Sequence, residues 1–149
     1  MWNDSKSLIL SKICVFIFMG LLLACAILAP QFVNMLIWIS STAYSVGKAL
    51  FLATIYIGCV PAAALLVCLY ILLQRIGTGN VFVRENTACL RHISWCCYAG
   101  AVICAASALY YFPWLAISIA AAFMGLIVRV IKNVIARAVS LQDDADFTI

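Results

Sequence analysis

Apolar side chains fill three long stretches of this chain that contain no Lys, Arg, Asp or Glu: Ile13 to Gly47, Ala49 to Gln74 and Ile93 to Val128. Each exceeds the ~20 residues that carry an α-helix across a bilayer core. The pattern predicts four spans, over residues 8–29, 49–73, 93–111 and 114–135, with Pro30 marking the exit of the first. Between spans one and two, Phe32, Leu36, Ile39, Ala43 and Val46 recur at steps of four and three. Gln31, Asn34, Ser41, Ser45 and Lys48 fall largely between them, so residues 31–48 predict an amphipathic helix lying in the membrane interface. Pro61, near the middle of span two, removes one helical hydrogen bond and bends the helix, a defect that membrane helices tolerate.

The third span carries small residues at every fourth position, Cys96, Gly100, Cys104 and Ala108. That spacing lines one helix face for close backbone approach. Ser118, Ala121, Ala122 and Gly125 offer a similar face on the fourth span, and both faces serve equally for pairing between two copies of the chain. Tyr110-Tyr111-Phe112-Pro113-Trp114 makes the turn between them, with aromatic rings suited to the headgroup level. The expected fold is therefore all-α: a four-helix transmembrane bundle with an amphipathic interfacial helix between spans one and two, forming one domain over residues 1–149.

Two polar segments interrupt this pattern. Residues 74–92 form a loop that holds Arg75, Arg84 and Arg91 with the only histidine, His92, and the only glutamate, Glu85. It opens with the turn-forming Gly77-Thr78-Gly79-Asn80, and from Glu85 a new helix runs toward the membrane. Residues 138–149 form an acidic tail carrying Asp143, Asp144 and Asp146. The positive-inside rule orients the whole. With four spans, Lys6, Lys12, Arg75, Arg84, Arg91, Arg129, Lys132 and Arg137 share one side and Lys48 stands alone on the other, which places both termini and the loop in the cytoplasm. Leu22-Leu23-Ala24-Cys25 falls near a lipoprotein cleavage pattern, but the sequence stays apolar after Cys25, so the first span is read as retained.

Composition agrees with this picture. Apolar residues make up 68% of the 149 and charged residues 9%, against about 45–50% and 25% in ordinary globular proteins. The formal charge of +4 lies dispersed at span ends and makes no patch for direct nucleic-acid binding. Seven of the eight cysteines sit in apolar segments, where a reduced thiol behaves as a small hydrophobe. Cys89 and His92 supply half a metal site at most, so no metal and no cofactor is expected. The charge-free runs put no Lys, Arg, Asp or Glu at membrane depth, and they hold no paired carboxylates and no Ser/His/Asp set, which argues against an enzyme and against a proton-coupled transporter.

The loop and the tail together resemble those of domain-of-unknown-function family 2975, small four-span bacterial membrane proteins. The resemblance rests on Gly79, Asn80, Phe82, Glu85, Asn86, Leu90 and Arg91 in the loop, and on Asp146, Phe147, Thr148 and Ile149 at the acidic end. Val81 stands where the family's loop has proline, and Phe147 where its tail has leucine. The resemblance implies a multi-pass protein of the bacterial cytoplasmic (inner) membrane, encoded beside a small helix-turn-helix regulator of the Xre/Cro type. The function expected on that basis is non-enzymatic: a membrane anchor or sensor that binds a cytoplasmic DNA-binding regulator. Asp143, Asp144 and Asp146, with Phe147 and Ile149, would meet the basic surface of the regulator, and Phe82, Arg84, Glu85, Asn86 and Arg91 would form the rest of the dock. The competing expectation is a passive membrane component surrounded by lipid: a small transporter, an immunity protein against membrane-active peptides, or a subunit of a larger complex.

Overall fold

A computed structural model describes residues 4–148, and among them all regular structure is helical. The order is α1 (Asp4–Ile39), α2 (Ser41–Val46), α3 (Lys48–Gly77), α4 (Arg84–Ser107) and α5 (Trp114–Phe147). Helices α1, α3, α4 and α5 are each long and apolar enough to cross a membrane, the architecture of a multi-pass membrane protein. Their outward faces need lipid as solvent. Phe16, Phe18, Leu23 and Ile27 of α1 are all more than half exposed, and in water such surface costs ~25 cal/mol for every Å² left uncovered.

The first helix differs from the expectation at Pro30. Instead of ending there, α1 runs on to Ile39, so the interfacial helix expected over residues 31–48 is not formed as one element; only the six-residue α2 stands apart. The reason is local. Proline has no N–H to give to the carbonyl four residues earlier, which here is that of Ala26. The Tyr56 hydroxyl of α3 donates to that same carbonyl at 3.2 Å. A neighbouring helix thus supplies the partner that Pro30 withdraws, as the absence of water at membrane depth demands. Helix α3 likewise continues through Pro61 without interruption.

The long helices pack antiparallel, each on its neighbour. Near one end of the α1–α3 pair, a Cβ added at Gly77 would lie 3.1 Å from the Leu8 side chain. Midway, the rings of Phe16 and Tyr70 meet edge to face with centroids 5.4 Å apart. At the far end Val33, Ala43 and Phe51 make a buried cluster. Helix α3 then packs on α4, and α4 on α5, whereas among the described residues no Cα of α1 comes within 8 Å of one in α4 or α5. The arrangement is an open series of helices.

The α4–α5 contact is the most extensive of these, and two hydroxyls set its register. Ser94 Oγ donates to the Gly125 carbonyl at 3.1 Å, and Ser118 Oγ to the Ala101 carbonyl at 2.7 Å. The predicted α5 face is confirmed at Ser118 and Gly125, but the α4 face is displaced by one residue. A Cβ on Gly125 would press on Cys97 Cβ and on the Tyr98 ring, each at 3.1 Å, while one on Gly100 would meet nothing within 4 Å. The contacting stripe is Ser94, Cys97 and Ala101, because the serine hydroxyls must reach carbonyls across the interface and so turn that side inward.

At the end away from the loop, the turn aromatics fold inward. Tyr110 and Tyr111 both meet the Phe51 ring edge to face, with centroids 5.3 Å away in each case. Trp114 packs against the same cluster. Beside it Thr54 Oγ1 pairs with Ser107 Oγ at 2.9 Å and also with the Tyr110 hydroxyl, joining α3 to the end of α4.

The link between Pro30 and Tyr56 is open to a double-mutant cycle. Tyr56→Phe should destabilise the protein in detergent by about 0.5–1.5 kcal/mol. In a Pro30→Ala background, where the backbone N–H returns to serve Ala26, the same change should cost close to nothing. Equal costs in both backgrounds, read from thermal unfolding, would refute the substitution of one donor for the other.

Candidate functional site

The polar end of the molecule begins where α3 stops. Thr78 caps it, Gly79 N–H donates to the Ile76 carbonyl at 3.1 Å, and Asn80 N–H reaches the Arg75 carbonyl at 3.2 Å. This is a Schellman ending, which needs one residue with positive φ. Gly79 provides it at φ +86°.

Four residues separate Gly79 from the start of α4 at Arg84, and Asn86 in its first turn closes the loop from beneath. Asn86 is 1% exposed. Its Nδ2 donates to the carbonyls of Asn80 and Val81 at 2.7 and 2.9 Å. A single amide therefore clamps the descending strand of the loop to the helix that follows it. Glu85, in the same first turn, lies favourably toward the positive end of the helix dipole. It pairs with Arg75 at 3.5 Å, and Arg75 also donates to Cys89 Sγ at 3.7 Å.

The acidic tail is the main revision to the site. Residues 138–147 are not a free tail but the last turns of α5, which is helical to Phe147. At 34 residues this helix is about 51 Å long, against a bilayer core of ~30 Å, so it projects well past the membrane. Helix continuation puts Asp143 opposite the start of α4, where Arg84 Nη2 reaches its Oδ2 at 3.0 Å. Loop and tail, 59 residues apart in sequence, are thereby joined.

The predicted dock residues separate into three groups. Arg84 and Asp143 are spent on each other, and Glu85 on Arg75. Asn86 is buried and works inside the loop, so it offers no surface to a partner; a short amide beneath two free carbonyls is drawn inward by them. Phe82, Arg91, Asp144, Asp146 and Phe147 remain exposed, Phe147 at 91%. Ile149 lies outside the described residues. Arg75 and Lys132 belong to this end as well, and neither stood out in the sequence. In the sequence Lys132 serves only to orient the chain, yet it lines one groove with Arg84, Arg91 and Asp143.

Among the described residues no group of three or more His, Cys, Asp and Glu is placed to hold a metal ion. The eight cysteines are free thiols, and His92 is exposed.

The model of a family described as a protein of unknown function (DUF2975) matches residues 28–149. No curated protein and no solved structure matches the chain.

Asn86→Ala should remove both loop bonds and cost about 1–3 kcal/mol, with faster amide exchange over residues 79–83. Arg84→Gln breaks a pair whose arginine side chain is 85% exposed, and should cost less than ~1 kcal/mol. Hydrogen exchange and thermal unfolding on the purified protein distinguish the two. An Asn86→Ala protein no softer than Arg84→Gln would remove the clamp from the account.

Proposed function

The chain belongs to the DUF2975 family, and we propose that it is a non-enzymatic membrane anchor for a small cytoplasmic DNA-binding protein. In this reading both termini and the loop face the cytoplasm, because eight of nine basic residues then lie on the inner side. The observation that carries the reading is the Arg84–Asp143 pair. It braces the projecting end of α5 against α4, so Asp144, Asp146 and Phe147 stand beyond the membrane as an ordered helical tip.

A helix-turn-helix regulator of the kind implied by the family resemblance presents a basic surface that grips phosphates. Two exposed carboxylates with an apolar side chain beside them offer that surface a competing partner. Binding there would withhold the regulator from DNA, with Phe82 and Arg91 at the margin of the contact. The polar groups at membrane depth engage carbonyls and hydroxyls of the same chain, which leaves the inner face as the place for specific recognition.

The test is a pull-down of the intact protein from its native membrane in mild detergent, beside an Asp144→Ala/Asp146→Ala version that keeps the Arg84–Asp143 pair. A small DNA-binding protein recovered with the first and at least ten-fold depleted with the second is the expected outcome. Recovery of no soluble DNA-binding protein with either would overturn the anchor.

A further inference from the structure

The groove between α4 and the projecting half of α5 has a chemistry of its own. Its volume is about 350 Å³, and Arg84, Arg91 and Lys132 line it against a single acid, Asp143. Since Asp143 already pairs with Arg84, Arg91 and Lys132 contribute two positive charges that this pair does not balance. Thr87 also lines the groove, and its Oγ1 is buried without a hydrogen-bond partner. A hydroxyl in that condition is costly to leave unsatisfied. The first turn of α4 adds to the field, since Val83 gives it no side-chain cap and its leading N–H groups carry the positive end of the helix dipole.

Depth selects among anions. Arg91 lies just before the charge-free run Ile93 to Val128 and Lys132 just after it, so both cations sit at the edge of the bilayer where lipid phosphates lie. Ala136 and Val139 complete the wall on the projecting side of Lys132, while in the other direction both helices enter the apolar, charge-free run. A free anion gains nothing from that run, whereas an acyl chain does.

We infer that this groove binds the phosphodiester headgroup of an anionic phospholipid of the same leaflet, held between Arg91 and Lys132. Net positive charge disfavours zwitterionic lipids, whose ammonium would enter the same field, and basic pockets between transmembrane helices suit such headgroups. The site shares Arg91 with the margin of the proposed dock, but the two readings fail separately, because the docking test changes Asp144 and Asp146 and leaves the groove residues intact.

Native mass spectrometry of the full chain in detergent tests it, with phosphatidylglycerol and phosphatidylcholine of matched acyl chains in equal amounts. The wild type should retain phosphatidylglycerol roughly thirty-fold over phosphatidylcholine, the scale set by two interfacial cations. Arg91→Gln/Lys132→Gln should bring the ratio near one, while Arg137→Gln, outside the groove, should keep it. Circular dichroism and elution volume report whether each variant is folded, and Lys132→Gln alone substitutes if the double variant is not. No preference in the wild type, or an unchanged preference in the folded groove variant, overturns the site. Displacement of phosphatidylglycerol by millimolar inorganic phosphate overturns the lipid assignment in favour of a soluble anion, and retention against it supports the headgroup.

Discussion

Every polar group that a helix takes into hydrocarbon must find its partner within the protein, and this constraint shapes the structure from end to end. The Ala26 carbonyl, released by Pro30, takes a hydroxyl from the next helix. Ser94 and Ser118 place their hydroxyls on carbonyls across the α4–α5 contact, and Thr54, Ser107 and Tyr110 satisfy one another where α3 meets the end of α4. Each bond is modest in energy. Their larger effect is directional, because each defines which side of a helix faces its neighbour when apolar side chains would be equally content against lipid.

That distinction explains what the sequence reveals and what it hides. The four spans are legible because uninterrupted apolar length is a property of single residues summed along the chain. The limits of α1 are not, since the sequence does not show that a tyrosine 26 positions later meets the carbonyl that Pro30 releases. The displaced face of α4 has the same origin: small residues at 96, 100 and 104 permit close approach, but the two serines decide where it happens. Gly125 is where sequence and packing agree, as it lies under the Tyr98 ring, which a Cβ would crowd at 3.1 Å.

At the polar end, the loop motif and the acidic run are visible as separate features. Their union is not visible, because the sequence marks Asp143 only as one acid among three. The continuous helix to Phe147 supplies the missing link by putting one particular aspartate opposite Arg84. Asn86 shows the opposite limit. Its place in a conspicuous motif suggests an outward role, yet two carbonyls of the preceding loop claim its amide.

The open series of helices bears on how the protein is made. Because α1 packs on α3, α3 on α4 and α4 on α5, each interface joins segments close in the chain, and none has to wait for a distant partner to close a ring. At roughly 5–20 residues per second of synthesis, each helical hairpin leaves the ribosome seconds before the next. The protein can then assemble in the order of its translation, and the Arg84–Asp143 pair is among the last contacts to form. A nascent chain therefore buries its interhelical hydroxyls first and acquires an ordered polar end only when nearly all of it has been inserted.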